Sequence, residues 1–585
     1  MLKCLVPEPR LNLSPKLDCS ALALVISANA YARLAPWLLT IIELVLMAAT
    51  LVLILRRQRA SDGSRPSFAR AFRSFAHRRR LAVLSVGLAV IVVRTALIPV
   101  IGIPQPRWND EFSYLLAADT FAHGRLTNPT HPMWIHFESF HIIQHPTYMS
   151  MYPPAQGLVL AAGQAIGHSW IGQLVITAVM CAAVCWMLQA WMPLPWALVG
   201  AILAALRLGI LSYWMNTYWC ASVAALGGTL VLGAWPRLRR NMRPRHGIVL
   251  ALGLVILANS RPYEGFVFSI PVAIAFLAWF TARRRPEIKK AIPALVVTLI
   301  VLAAGAAATA HYYERVTGSP WLMTYQVNRS QYSAAPYFIW QKMRAEPVYH
   351  HAVMRDYYRG EAREFQRNLT LRGYLQRGTH KFLEWWGFYL GPLLTVPLIA
   401  LPWIIRQRKM RLPVAICAAM IAAFAVQTWT LPHYFSPAAG ALYILLIQGL
   451  RHMYARRGIL KDAALAIPLL AFAMIVIRVM AAATHTQIEP AWPRGNLERA
   501  TILRHLRAMP GEQLVIVRYR PDHDLNREWV WNRASIDSAK VVWARDMGDA
   551  QNQELLEYFK TRRPWRLDAD DPSPKLQPYT AAPAP

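Results

Sequence analysis

The sequence predicts an all-α, polytopic membrane protein: a bundle of about twelve spanning helices with a small C-terminal α/β domain outside the membrane. Hydrophobic residues make up 55% of its 585 residues and charged residues only 16%. Long apolar segments recur along the chain, each close to the ~20 residues that a helix needs to cross the hydrocarbon core. They lack the alternating pattern of barrel strands, so helices are expected.

The predicted spans lie between residues 37 and 484, which we expect to form one transmembrane domain. In chain order they are 37–55, 80–101, 170–192, 196–213, 217–235, 247–262, 264–280, 291–310, 384–405, 411–431, 433–450 and 462–484. The N-terminal segment 1–36 receives no assignment, because its apolar run is too short to span and no signal cleavage site is clear.

The formal net charge of +32 is explained by topology, and no nucleic-acid partner is expected. The basic residues cluster in short loops between spans, which the positive-inside rule places in the cytoplasm. These loops are 56–80, 236–246, 281–290, 406–411 and 451–461. The same alternation places the long loops 102–169 and 311–383 and both termini on the other side. We therefore predict a bacterial inner-membrane protein whose long loops face the periplasm.

The tail, 485–570, is predicted to be a small periplasmic α/β domain. Residues 513–519 and 540–544 have the pattern of buried strands, and 552–560 that of an amphipathic helix before a further strand. No glycine-rich phosphate loop is present, so no catalysis is assigned to this domain. The proline-rich end, 571–585, is expected to be disordered.

An acidic pair in the first long loop is the strongest candidate for chemistry. Asp110 and Glu111 lie in the sequence RWNDEFSY, in the first turn of a predicted helix just outside the second span. Free backbone N–H groups and the helix dipole favour carboxylates there. Helix capping explains one acid well and the pair only in part, so both remain candidate catalytic residues.

Charged residues at membrane depth give a second set of candidates. Arg261 and Glu264 lie in the polar break 258–265 between two spans, where charges are costly and mark either a site or a local salt bridge. Arg94, near the outer end of the second span, is a second candidate for binding a phosphate. Snorkelling of its side chain to the interface explains Arg94 equally well.

Two further groups have an alternative explanation. His433 and Tyr434, in a break between late spans, are candidates for binding phosphate or acceptor, or members of an interfacial aromatic belt. Glu138 and His141 are candidate ligands of a divalent metal such as zinc or manganese. Their spacing matches no zinc signature, so a metal cofactor is left open.

The order of these features resembles a class of membrane enzymes. A span is followed by the Asp-Glu pair opening a juxtamembrane helix, by a Tyr-x-x-Ala-like continuation, and by Pro153-Pro154 before the next apolar stretch. This order resembles the GT-C glycosyltransferases. It is most similar to the branch of protein O-mannosyltransferases and lipid A aminoarabinose transferases, over roughly residues 80–450.

The resemblance implies an inverting transfer of a sugar from a polyprenyl-phosphate donor to an acceptor outside the cytoplasm. It implies that Asp110 is the base and that Glu111 is its partner in acceptor or metal binding. Several relatives have a lysine directly before the Pro-Pro pair, whereas this chain has Tyr152. We therefore expect Arg261 to bind the donor phosphate, with Glu264 and His433 as secondary candidates. The acceptor class, whether glycolipid, polysaccharide or protein, is left open.

Other classes of function compete with this interpretation. A transporter or lipid flippase would equally contain charges at membrane depth, although the sequence shows no internal repeat. A non-catalytic scaffold that presents the tail would leave the Asp110-Glu111 pair without a purpose. Replacing Asp110 by Asn discriminates among the three.

Overall fold

The computed structural model describes residues 37–58, 67–282, 287–456, 458–486 and 495–579, so the segment 1–36 lies outside the described residues. Most of the chain is helical. The α-helices are Leu38–Gln58 (α1), Ser67–His77 (α2), Arg79–Ala96 (α3), Ile98–Ile101 (α4), Asn109–Ala122 (α5), Pro154–Ala165 (α6), Ser169–Trp191 (α7), Leu194–Ala204 (α8), Tyr213–Asn216 (α9), Ala221–Arg240 (α10), Pro244–Ala258 (α11), Pro262–Thr281 (α12), Ile288–Thr317 (α13), Thr324–Tyr332 (α14), Ala352–Asn368 (α15), Leu371–Tyr389 (α16), Gly391–Thr395 (α17), Leu401–Ile405 (α18), Arg411–Val426 (α19), Ala439–Ala455 (α20), Ile459–Ala483 (α21), Leu497–Ala508 (α22) and Asp549–Tyr558 (α23).

The apolar helices form the bundle of a multi-pass membrane protein, as predicted, but the count of about twelve spans is not confirmed. Within the described ranges, six helices are long and apolar enough to cross a membrane, or seven if one bent pair is a single span. That pair joins α16 to Gly391–Ile405 at an angle of 93°. Gly391 has φ +59°, which favours glycine, and so permits the bend. Other predicted spans are short helices such as α11.

Helix ends follow local chemistry. Pro154, Pro244 and Pro262 each occupy the first turn of a helix, where the missing N–H has no partner to lose. Gly318 ends α13 with φ +80°. Helix α6 begins inside the first long loop and α12 begins after a three-residue break that follows α11. Both helix starts help to position the site described below.

The long loops are folded and lie together on one side of the bundle, here called the loop face (102–169, 311–383 and the tail). The first loop contains α5, a 3₁₀ turn at Trp134–Phe137, and the antiparallel strands Ile142–Ile143 (β1) and Met149–Ser150 (β2). The second contains α14 and α15. Helix α5 packs against α6 and is buried on most of its surface.

The tail is a four-stranded sheet with α22 and α23. Its strands are Gln513–Arg518 (β3), Val541–Arg545 (β4), Arg563–Asp568 (β5) and Leu576–Pro578 (β6), in the order β4-β3-β5-β6. Strand β3 pairs in parallel with both β4 and β5, and β6 is antiparallel to β5. The predicted disorder from 571 is therefore wrong up to residue 579, because β6 pairs with β5; the last six residues lie outside the described part.

The tail is not a separate body, because it shares a hydrophobic core with the first loop. Leu116, Phe137 and Tyr148 of that loop cluster with Leu514 and Ile516 of β3. Asp119 in α5 accepts a hydrogen bond from the backbone N–H of Ala534 at 2.9 Å. The first loop is thus held between the bundle and the tail.

One close approach fixes the segment that precedes α20. The 3₁₀ helix Pro432–Ala438 lies against α10. A Cβ at Gly228 would collide with the carbonyl oxygen of Pro437. Glycine at this position lets the two backbones meet, as small residues do in membrane helix packing. His433 and Tyr434 are positioned by this contact.

Candidate active site

The Glu111 side chain accepts hydrogen bonds at the beginning of α5. One carboxylate oxygen accepts the backbone N–H groups of Arg107 (2.9 Å) and Trp108 (3.0 Å), and the other accepts that of Tyr218 (3.2 Å). The side chain is buried, and burial raises its pKa to about 7. With both oxygens engaged by the backbone, Glu111 ties the start of α5 to the turn after α9.

Asp110, its neighbour, faces a different way. Its Oδ1 lies 2.7 Å from Nδ1 of His141 and accepts a hydrogen bond from the hydroxyl of Tyr152. The Asp110 side chain keeps 26% of its surface exposed, against 10% for His141. Asp110 is thus the member of the group that a substrate can reach.

The electrostatics keep Asp110 ionised. Burial alone would raise its pKa, but His141, the Tyr152 hydrogen bond and the more distant His433 together hold the pKa of Asp110 below its ordinary value. Nε2 of His141 lies 3.2 Å from the hydroxyl of Tyr357 in α15. A proton on Nδ1 lets His141 donate to Asp110, while Nε2 faces the Tyr357 hydroxyl.

Arg261 and Glu264 form a second, buried cluster at the start of α12. Arg261 NH2 lies 2.7 Å from Glu264 Oε1, which also accepts a hydrogen bond from Gln427 Nε2 at 3.0 Å. The Arg261 guanidinium lies 3.6 Å from the ring centroid of Tyr434, close enough for a cation–π contact. Among the described residues, the buried Arg261 Nε has no hydrogen-bond acceptor. The expected salt bridge is present, and the buried Nε–H has no acceptor among the described residues.

Aromatic side chains connect the two clusters. The Tyr434 ring lies 3.6 Å from the Arg261 guanidinium and 4.9 Å from the His433 ring, and His433 in turn lowers the pKa of Asp110. His433 contacts the Tyr213 hydroxyl through Nδ1 at 3.4 Å. The structure therefore brings Asp110, Arg261, His433 and Tyr434 into one neighbourhood on the loop face.

Arg94 lies elsewhere and does not snorkel. Its side chain is fully buried, with Nε donating to Asn216 Oδ1 at 2.9 Å and NH2 to the carbonyl of Gly102 at 2.8 Å. The guanidinium also lies 4.6 Å from the Trp170 ring centroid. These contacts join α3 to its neighbours, so the structure supplies a structural explanation for this arginine.

The predicted metal ligands, Glu138 and His141, contact different side chains. Glu138 accepts the Tyr332 hydroxyl at 2.9 Å and lies 2.9 Å from His350 Nδ1, whereas His141 contacts Asp110. Within the part of the chain that the structure describes, no group of three or more His, Cys, Asp or Glu side chains is arranged to hold a metal ion. The residues present do not fit a metal centre at this position.

Sequence reasoning missed several partners in these clusters. Tyr357, Tyr332 and His350 come from the second long loop, and no local pattern connects them to Asp110 or Glu138. The histidine-rich surroundings of His141 suggested a metal ligand, but its side chain contacts Asp110. Tyr152 was examined as a replacement for a lysine, and its hydroxyl instead binds Asp110.

Comparison with known proteins gives only distant structural matches. No protein-family model and no curated protein matches the chain. It is similar to the oligosaccharyltransferase of Archaeoglobus fulgidus tethered to an acceptor peptide, at 12% identity and a TM-score of 0.46, covering 83% of this chain and 69% of that one. It is also similar to ArnT from Cupriavidus metallidurans bound to undecaprenyl phosphate, at 12% identity and a TM-score of 0.44, covering 84% and 92%. Both are GT-C glycosyltransferases. At this distance the matches carry no argument about function, and the chemistry is argued below from the site's own residues.

Proposed function

We propose that this protein is an inverting glycosyltransferase, which moves a sugar from a polyprenyl-phosphate donor to an acceptor on the loop face. The observation that carries the proposal is Asp110: a partly exposed carboxylate, held by a histidine and a tyrosine, in the same neighbourhood as a buried arginine with an unused donor. Asp110 is the proposed catalytic residue, and Glu111 positions the helix that presents it.

In the proposed reaction the acceptor hydroxyl oxygen attacks the anomeric carbon of the donor. The new carbon–oxygen bond forms as the bond to the lipid phosphate breaks, and the electron pair leaves with that phosphate. The hydroxyl proton passes to Asp110, because this proton becomes acidic only in the transition state and an ionised carboxylate can accept it. One carboxylate suffices for a single displacement with inversion.

Arg261 is the proposed partner of the leaving phosphate. Negative charge develops on the phosphate oxygen as the bond breaks, and a preorganised cation stabilises it. Glu264 and the Tyr434 ring fix the guanidinium, and its buried Nε has no acceptor among the described residues. His433 and Tyr434 lie beside it and complete the proposed phosphate-binding side of the site.

The proposal extends to location and partners. We place the protein in the bacterial inner membrane with its loop face in the periplasm, where nucleotide sugars are absent and a lipid-linked donor is required. A glycolipid, polysaccharide or protein supplies the acceptor hydroxyl, and the bundle admits the lipid tail from the side. The proposed reaction uses no metal ion, because the described residues around Glu138 and His141 do not form a metal centre.

The test is transfer of label from a panel of radiolabelled polyprenyl-phosphate monosaccharides to cell-envelope acceptors by the purified protein in lipid nanodiscs. Asp110→Asn should lower the rate by about 10²- to 10⁴-fold, the usual contribution of a positioned base. Glu138→Gln, the same chemical change in a buried carboxylate, is the matched control. The proposal is overturned if correctly inserted Asp110→Asn transfers at the wild-type rate.

A second variant tests the leaving-group side. Arg261→Met should lower kcat by roughly 10²-fold, as loss of a preorganised charge partner does. Arg329→Met is a matched control, since Arg329 is also buried, lies 2.7 Å from a glutamate (Glu361) and is close to aromatic rings. If both variants lose equal activity at equal thermal stability, Arg261 has no special role in the reaction.

A further inference from the structure

The tail reaches the backbone directly before His141. Arg545, the last residue of β4, donates from Nε to the carbonyl oxygen of Glu138 at 2.6 Å. Its guanidinium lies 5.8 Å from the ring centroid of Phe140. The residue between them, Ser139, donates from its hydroxyl to Glu528 of the tail at 3.1 Å. Each of the three residues preceding His141 therefore contacts the tail.

Arg545 and Glu528 form a buried ion pair. Arg545 NH2 lies 2.7 Å from Glu528 Oε2, and the two side chains are only 2% and 1% exposed. The other oxygen of Glu528 accepts the hydroxyl of Tyr519 at 2.7 Å and the backbone N–H groups of Trp529 and Val530. Such a pair is costly unless further hydrogen bonds satisfy its remaining donors and acceptors. Segment 138–140 satisfies part of them, and NH1 of Arg545 is buried without an acceptor among the described residues.

His141 needs this support because of its backbone conformation. Its φ is +59°, in the left-handed region that non-glycine residues rarely adopt, and such residues persist only where the surroundings hold them. The Ser113 hydroxyl (2.6 Å) and the Met151 N–H (3.1 Å) hold its carbonyl oxygen from the bundle side. Arg545 and Glu528 hold the preceding residues from the tail side.

We infer that the Arg545–Glu528 pair is a positioning device, through which the C-terminal domain holds His141 against Asp110. The pair touches no reacting atom and acts through segment 138–141. The inference rests on the proposed function for its effect on catalysis, but its structural part stands on the contacts alone. It gives the tail a role in the reaction, where the sequence assigned it none.

Attachment of the tail does not by itself require this pair. The Asp119 contact with Ala534 and the pairing of His131 Nε2 with Asp537 at 2.9 Å both join tail and first loop. Neither contact involves segment 138–141. Loss of Arg545 should therefore loosen the His141 segment while the tail stays docked, which separates positioning from simple attachment.

The first experiment measures the segment directly, by amide hydrogen–deuterium exchange of peptides covering residues 136–143 in the full-length protein. Arg545→Met should speed exchange there. Arg562→Met is the matched control, because Arg562 is also buried and donates to the carbonyls of Ala539 (2.6 Å) and Asp537 (2.5 Å) within the tail. Unchanged exchange in Arg545→Met, or equal acceleration in both variants, overturns the inference whether or not any sugar is transferred.

The second experiment is a double-mutant cycle on transfer. Arg545→Met should lower kcat by about 10- to 100-fold with KM little changed, as expected when a catalytic group is displaced by about 1 Å. In a His141→Ala background the same substitution should have little further effect, because the two residues act through one path. The inferred effect on catalysis would be overturned if the two losses of kcat multiplied in the double variant, or if Arg562→Met lost as much kcat as Arg545→Met.

Milder variants keep the inference testable if Arg545→Met fails to fold. Ser139→Ala removes one contact to Glu528 and no charge, and should give the same two changes at smaller size. Arg545→Lys retains the charge beside Glu528 but cannot serve Glu528 and the Glu138 carbonyl with one planar fork, so an intermediate kcat is expected. Wild-type exchange and kcat in both variants would contradict the inference. If hydrogen–deuterium exchange changes in these variants but no sugar transfer is detected with any donor, that result would count against the proposed function alone.

Discussion

Two clusters on the loop face have the same composition and opposite exposure. In one, Asp110 is held by His141 and Tyr152; in the other, Glu138 is held by His350 and Tyr332. The Asp110 side chain is 26% exposed and that of Glu138 only 3%. A carboxylate, a histidine and a tyrosine thus occur twice, and only one set opens toward a substrate.

The pKa values of the two carboxyl groups shift in opposite directions, because their neighbours oppose the effect of burial to different extents. Burial raises the pKa of Glu138, against the opposing effect of His350 and Tyr332. At Asp110 burial acts in the same direction, but the histidine and tyrosine prevail and lower the pKa. Residue composition therefore does not tell which cluster is reactive. The exposure of Asp110 to a substrate does. The following predictions use Glu138 and its partners as controls for Asp110 and its partners.

Removing the histidine from each cluster should give the largest contrast. His141→Ala takes away the group that orients Asp110, and kcat should fall by about 10- to 100-fold. His350 is 40% exposed, and His350→Ala should leave kcat within about twofold, as surface substitutions usually do. Steady-state transfer by the two purified variants measures the contrast. Equal losses would mean that the clusters do not differ in function.

The sequence predicted the helical bundle because apolar length and loop charge are local properties of the chain. Each predicted span coincides with one or more helices, but their number as membrane crossings does not follow from hydropathy. Helix α11, Pro244–Ala258, is short, and the turn at Gly391 breaks another segment. Hydropathy reports apolar length and does not report bends, so the span count was the part of the fold that failed.

The site was predictable only where its residues are neighbours in sequence. Asp110 and Glu111 were placed correctly at a helix start, since capping is local chemistry. Their different directions were not predictable, because Tyr218 fixes one and His141 the other through tertiary contacts. The Tyr357 and Arg545 contacts join segments hundreds of residues apart, and a single sequence has no signal for such pairs.

Tyrosine removal should separate the two clusters by pH. Because the pKa of Asp110 is lowered, the acid limb of wild-type transfer should lie below the ordinary aspartate value of about 3.9. Tyr152→Phe removes a hydrogen bond to the ionised form, so the acid limb should move to higher pH. Tyr332→Phe should leave the limb in place. The pH–rate profiles of kcat for the three proteins provide the measurement, and an unmoved limb in Tyr152→Phe would show that this hydroxyl does not tune the base.

The smallest expected effect is that of Glu138→Gln, which should change the pH dependence of protein stability without changing the rate of transfer. Because the pKa of Glu138 is raised in the folded protein, the folded state binds a proton that the unfolded state releases near the ordinary glutamate value of about 4.3. Its contribution is complete below that value and is lost as the pH rises toward the folded pKa. Glu138→Gln cannot ionise, so its apparent thermal midpoint should fall less than that of the wild type over this rise in pH. Glu138→Gln should also keep the wild-type acid limb of kcat. A shifted limb would mean that the buried carboxylate communicates with Asp110 through segment 138–141, and the distinction between the reactive and the structural cluster would no longer hold.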